Sequence, residues 1–196
     1  MLIQGKEFTL WWDLDRQELK NLDFSGRVEW LENRTERVLL NPLNELASLT
    51  NKAFVWMAVT ELVCAGINSL AYFCGGSFCQ FVHEYMDRDF PKVAKDKKGK
   101  DRSYCEHLWE YFRNCLYHGF YIEWGGIWHH DEGGTQGYLR PTANNEGVAI
   151  DPRTLLKDFC QAKDKYFAEL KQKGENSPIG QNFTKRFEAI LKRKKR

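Results

Sequence analysis

With 196 residues, 42% hydrophobic and 29% charged, the chain has the composition of a soluble globular protein large enough for one real core. The formal net charge is only +2, so total charge says little about partners and its distribution says more. Two basic runs stand out, one from Lys92 to Arg102 and one from Lys185 to Arg196.

The opening "MLIQGKEFTLWW" has neither the basic nor the apolar segment of a signal peptide, which gives a cytoplasmic expectation. Residues 1–40 are mixed in pattern and are read as an N-terminal extension, either a short helix or strands with a turn. Asn41-Pro42 then reads as an N-cap followed by proline at the first helical position. From there to Phe73 the chain is helical and apolar. Its most apolar part, Ala53 to Phe73, carries Glu61 and Asn68. An acid there is costly in lipid, so the stretch is read as a buried helix and no membrane is expected. Gly75-Gly76 ends it, a second helix runs from Ser77 to Met86, and "DFPKVAKDKKGKD" reads as a basic loop.

Ser103 and Glu106 match the S-x-x-E capping box, so a third helix starts here. Tyr104, Leu108, Tyr111, Phe112, Cys115 and Leu116 make its apolar face, and Gly119 is placed to end it. "FYIEWGGIWHH" predicts a hairpin turning at Gly125-Gly126, inside a β insertion at about 120–150. Asp151-Pro152 restarts a helix through about Lys173. A last amphipathic helix with a basic end occupies 176–196. The expected fold is mainly α, a helical bundle over 41–175 with a small β insertion. The six cysteines form no C-x-x-C pair and read as reduced core thiols.

The chemistry-bearing stretch is "YFRNCLYHGF", with Arg113, Asn114 and His118 at a helix end. On an α-helical wheel Asn114, His118 and His107 share one polar line, while Arg113 and His118 diverge by roughly 140°. They meet only if the helix end bends, the arginine reaches round, or a second copy supplies one of them. Arginine grips phosphate with two donors, and histidine exchanges protons near neutral pH. Attack of a ribose 2′-hydroxyl on its phosphodiester needs a base, an acid and positive charge on the phosphate, and in principle no metal. One chain offers one such histidine, and a two-fold dimer offers two.

"RNCLYH" resembles the R-x4-6-H signature of HEPN-domain proteins, many of them dimeric, metal-independent ribonucleases of toxin–antitoxin, abortive-infection and CRISPR-associated systems. The resemblance implies a bundle of four or five helices. It also implies catalytic roles for Arg113 and His118, with Asn114 supporting them, and RNA as substrate. A toxin or phage-defence effector restrained by an antitoxin or regulatory protein follows from the same likeness. Some family members carry a tyrosine two residues after the histidine, modified by a partner nucleotidyltransferase. This chain has Phe120 there and Tyr121 one later, so that acceptor is missing at its usual place. Residues 1–40 and the basic C-terminal segment lie outside the resemblance.

Around the motif, Glu61 is read either as a support for Arg113 or His118 or as a structural ion pair. Lys97, Lys98, Lys100 and Arg102 are candidates to track an RNA backbone, with a solvated loop as the bland alternative. Tyr121 and Trp124 are candidates to stack on bases, with hairpin packing as the more frequent use of such rings. "HHDE" at 129–132 lacks metal-ligand spacing, so no metal or cofactor is expected. Two further readings compete with the nuclease: a non-catalytic RNA- or nucleotide-binding module anchored by Arg113, and a protein-interaction subunit.

Overall fold

The structure, a computed structural model, describes residues 2–3, 6–7, 16–49, 53–86, 93–114, 125–127, 139–141 and 148–192. Within these the fold is mainly α. Helix α1 spans Arg16–Asn21 and α2 spans Phe24–Thr35, and Asp23 caps α2 by accepting the Gly26 N–H at 2.7 Å. The run continues without a break through a π-helix, Glu36–Leu40, into α3, Asn41–Ser48. Asn41 is therefore not the start of a helix. Pro42 sits inside a continuous one, just after the π turn. A proline has no N–H and crowds the carbonyl four residues back, and the wider π winding immediately ahead of it relieves that clash. Leu49, with ψ 83°, ends the run.

Helix α4, Ala53–Cys74, is the axis of the fold. Trp56, Val59, Val63, Cys64, Ile67, Leu70 and Ala71 are all buried at helical spacing. Thr60, also buried, donates its hydroxyl to the Trp56 carbonyl at 2.8 Å and so leaves no orphan polar atom. By length and composition α4 could cross a membrane, but half of its apolar window is buried within the protein. Its neighbours are α3, α5 and the later helices, so its apolarity is that of a helix covered on many sides. It ends as the glycines predict. Gly75 (φ 79°) and Gly76 donate to the Tyr72 and Ala71 carbonyls, both at 3.1 Å, in a Schellman motif.

Helix α5, Phe78–Tyr85, opens with a capping box made by Ser77 and Gln80. Among the described residues of the basic segment after it, 93–103 form a hairpin rather than an irregular loop. Strands β3, Val93–Lys95, and β4, Asp101–Ser103, pair antiparallel, the third and fourth strands after the short ladder of β1, Leu2–Ile3, and β2, Lys6–Glu7. The strand pattern was masked by charge: Val93 and Lys95 face solvent and only Ala94 is buried, so the alternation shows one apolar inward residue.

Helix α6, Tyr104–His107, begins at the predicted Ser103–Glu106 capping box and passes into a second π-helix, Leu108–Asn114. Among the described residues, the insertion holds a three-stranded mixed sheet. Strand β5, Gly125–Ile127, runs parallel to β7, Val148–Ile150, and β6, Leu139–Pro141, runs antiparallel to β7. Gly125-Gly126 is thus strand rather than hairpin turn. A parallel partner must lie far along the chain, and local alternation cannot reveal it.

Helix α7, Pro152–Lys173, starts as Asp151-Pro152 predicts: the Asp151 carboxylate accepts the Arg153 N–H at 3.1 Å and the Thr154 hydroxyl at 2.8 Å. Its face of Leu155, Phe159, Ala162, Tyr166, Phe167 and Leu170 packs on α4 and α5. Helix α8, Pro178–Lys192, closes the bundle against the N-terminal helices, with Phe183 edge-on to Phe24 at 5.7 Å and Phe187 edge-on to Trp30 at 5.6 Å. Val28, Leu31 and Leu40 share one core with these residues, so 24–40 belongs to the bundle rather than preceding it.

The close approach of α4 and α7 depends on Gly66. A Cβ there would lie 2.5 Å from the Phe159 ring and 2.6 Å from a Leu39 methyl. Phe159 is fully buried and cannot swing away. Gly66→Ala is therefore expected to destabilise the fold by about 1–3 kcal/mol in urea denaturation. A neutral or stabilising effect, as Gly→Ala gives on an open helix face, would show that α4 and α7 are further apart.

Candidate functional site on the motif helix

The capping box fixes where the motif helix starts, and the π winding decides what it presents. Tyr104, Cys105, His107, Leu108, Tyr111 and Phe112 are buried, while Glu106 and Glu110 face solvent and Arg113 and Asn114 are half-buried. His107 does not lie on a polar line with Asn114. It is wholly buried, its Nε2 is 3.1 Å from the Ala94 carbonyl of the hairpin, and its ring lies 5.4 Å from that of Tyr111. The α-helical wheel fails here because the helix winds more widely from Leu108 onward and because the hairpin covers the ring. Burial holds the His107 imidazole below its usual pKa, against the pull of its bond to Ala94. The neutral ring donates from Nε2 to the Ala94 carbonyl.

Arg113 and Asn114 meet directly. Arg113 Nη1 donates to Asn114 Oδ1 at 2.8 Å, and the guanidinium lies 4.6 Å from the centre of the Trp109 ring. The cation is therefore held on two sides, by an amide oxygen at its edge and an indole against its plane. The resemblance has Asn114 supporting both Arg113 and His118, and the contact observed is with Arg113. Trp109 was missed, though it stands four residues before Arg113 and helix neighbours at that spacing touch. Trp109 also packs tilted against Phe78, ring centres 5.1 Å apart, and, with Asn68, Tyr72, Ser77 and Cys79, lines a cleft of about 450 Å³.

Glu61 is half-buried on α4, three residues before Cys64. Burial raises the Cys64 thiol pKa, the nearby Arg113 cation opposes that, and Glu61 adds to it. Arg113 and Glu61 thus act on the same buried thiol from the motif helix and from α4.

The candidate RNA-tracking cations divide. Lys97, Lys98 and Lys100 are exposed at the hairpin turn. Arg102 instead donates from Nε to the buried Asp96 carboxylate at 2.8 Å, and that carboxylate also accepts the N–H groups of Lys98 and Lys100 at 2.8 and 2.9 Å. Asp96 is what lets so basic a turn close. His118, Tyr121 and Trp124 lie outside the described residues, as do Cys115, Leu116, Gly119, Phe120 and the 129–132 cluster. Among the described residues no group of histidine, cysteine and acidic side chains could hold a metal ion.

Comparison with family models, with curated proteins and with solved structures finds no match to this chain. Among the described residues the chain is a mainly α bundle with small β elements.

The hydrogen bonds from the Lys100 and Lys98 amides and from Arg102, working against burial, hold the Asp96 carboxyl down to about 2. A depressed acid stabilises the fold fully above its unfolded value of about 4 and loses that contribution as pH falls towards its folded value. The Lys98 and Lys100 amide resonances should therefore titrate with a midpoint near 2 and be flat with pH in Asp96→Asn. A midpoint near 4 in the wild type would mean that the carboxylate is not held by the turn.

Proposed function

We propose that this chain is a HEPN-like endoribonuclease that cleaves single-stranded RNA without metal, as a homodimer. The observation that carries the reading is the preset Arg113 cation, bonded to Asn114 and backed by Trp109 at the end of a π-helical turn. A guanidinium whose orientation is already set loses little freedom on binding a phosphate, and it can neutralise the charge that grows on the phosphate as the 2′-oxygen attacks.

In the proposal His118 moves the proton on one side of the phosphate and the partner's His118 moves the other. The exposed Lys97, Lys98 and Lys100 add attraction for the RNA backbone, and the aromatic-walled cleft beside Trp109 suits an unstacked base. A cytoplasmic toxin or phage-defence effector, restrained by an antitoxin or regulatory protein, is the setting that the motif's resemblance implies.

The cleft also favours a second reading, a non-catalytic nucleotide- or RNA-binding module with Arg113 as the phosphate anchor. The two readings separate in one experiment. Wild type, Arg113→Ala and His118→Ala are incubated with end-labelled single-stranded RNA in excess EDTA. The nuclease reading expects cleavage by the wild type and a loss of about 10²–10⁴-fold in each variant. RNA that is bound but left intact by a folded wild type, with binding lost in Arg113→Ala, would replace it with the binding module. Sedimentation at micromolar concentration should give a dimer, and a monomer would leave half of the proton transfer without its histidine.

A further inference from the structure

The cleft beside Trp109 has a second aromatic wall, Tyr72 of α4, and each of the two rings carries a guanidinium. Arg113 lies 4.6 Å from the centre of the Trp109 ring, and Arg186 lies 4.8 Å from that of Tyr72. The second arginine comes from the far end of the chain. Helix α8 brings it there by packing on the end of α4: Phe183, one turn before Arg186, sets its ring 5.8 Å from that of Phe73, the neighbour of Tyr72. Arg186 is half-buried and, among the described residues, forms no ion pair, whereas Arg102 is committed to Asp96. Asn68, one turn before Tyr72, gives the cleft an amide that can both donate and accept. A volume of about 450 Å³ lies in the range of small-ligand sites, about 300–1,000 Å³.

We propose that this cleft is a single-nucleotide subsite for single-stranded RNA, with Arg186 as a second phosphate anchor. One unstacked base lies against Tyr72 and Trp109, while Arg113 and Arg186 hold the phosphates on its two sides. The chemistry of the lining selects this occupant. Two rings favour a flat π face, and two cations on separate walls favour an anion charged at two points. An internal nucleotide of a single strand has both, one base with a phosphate on either side. A guanidinium resting on a ring keeps its edge donors for phosphate oxygens. An acidic peptide would match the cations and leave the rings without a partner, and a duplex keeps its bases stacked. The proposal rests on RNA being the ligand of this site and not on the RNA being cut. Arg186 binds, and no proton moves through it.

Binding of a labelled, single-stranded 2′-O-methyl RNA to the full chain is measured by fluorescence anisotropy over a series of salt concentrations. That strand has no 2′-hydroxyl to attack its phosphate, so it stays whole whether or not the protein is a nuclease. Arg186→Gln is expected to weaken binding about 10-fold at low salt. It should also lower the slope of log K against log salt by about 0.7, the share of one phosphate contact on a single strand. Arg186→Lys, which keeps the charge, should hold the slope, and this separates a lost phosphate contact from a disturbed fold. Tyr72→Leu should weaken binding, and so should pairing the strand into a duplex. An Arg186→Gln slope equal to that of the wild type, while Arg113→Gln lowers it, would overturn the second anchor and leave the RNA reading standing. Equal affinity for strand and duplex would remove the base from the cleft and overturn the subsite. A folded wild type that binds no strand at low salt would end the RNA reading itself, and Arg186-dependent capture of polyglutamate in its place would assign the cleft to an acidic protein segment.

Discussion

Everything in this fold is arranged around the need to cover α4. A helix of 22 residues is about 33 Å long, and this one is apolar along most of its surface. Water cannot be left against such a face, so α3, α5, α7, α8 and the motif helix each take a share of it. The N-terminal and C-terminal helices are drawn in by the same demand, joined to each other through Phe24, Trp30, Phe183 and Phe187. Gly66 marks a tight point on α4, where an added methyl group would run into Phe159 and Leu39.

The motif helix meets that demand and also presents its polar end. Tyr104, Leu108, Tyr111 and Phe112 serve the core, and the helix then delivers Arg113 to a half-buried position beside Trp109. A wide turn is the device that reconciles the two tasks. It changes which residues stand above one another, so that the arginine leaves the buried face one residue after Phe112. The hairpin secures this helix from the other side, through the bond between His107 and Ala94, and Asp96 in turn holds the hairpin closed. Core burial, hairpin and arginine are links in one chain of support.

Much of this was legible because it is written in short-range chemistry. The capping residues Ser77, Ser103 and Asp151 and the stop at Gly75-Gly76 lie where their side chains or glycines demand. The mainly α fold followed from the periodicity of residues such as Val59, Val63, Ile67 and Leu70. What was hidden depends on longer or rarer relations. Neither π segment has a local sequence mark, and so His107 was assigned to the wrong face and Pro42 to a helix start. The charges on Lys95, Asp101 and Arg102 concealed a hairpin whose inward residue is a lone alanine. The strand at Gly125–Ile127 finds its partner only at Val148–Ile150, far beyond the reach of any alternation pattern. Of the candidate site, Arg113 and Asn114 were legible as motif residues, whereas their bond to each other and the Trp109 ring under the guanidinium became visible only in the structure.

The proposed chemistry makes one demand that no neighbouring mechanism shares. A 2′-oxygen that attacks its own phosphate must leave a cyclic product, because the nucleophile belongs to the RNA and not to water. The decisive measurement is therefore the end chemistry of RNA cut by the wild-type protein in excess EDTA. The account predicts 2′,3′-cyclic phosphate on one fragment and 5′-hydroxyl on the other. Fragments ending in 3′-hydroxyl and 5′-phosphate, or RNA left whole by a folded dimer, would contradict it.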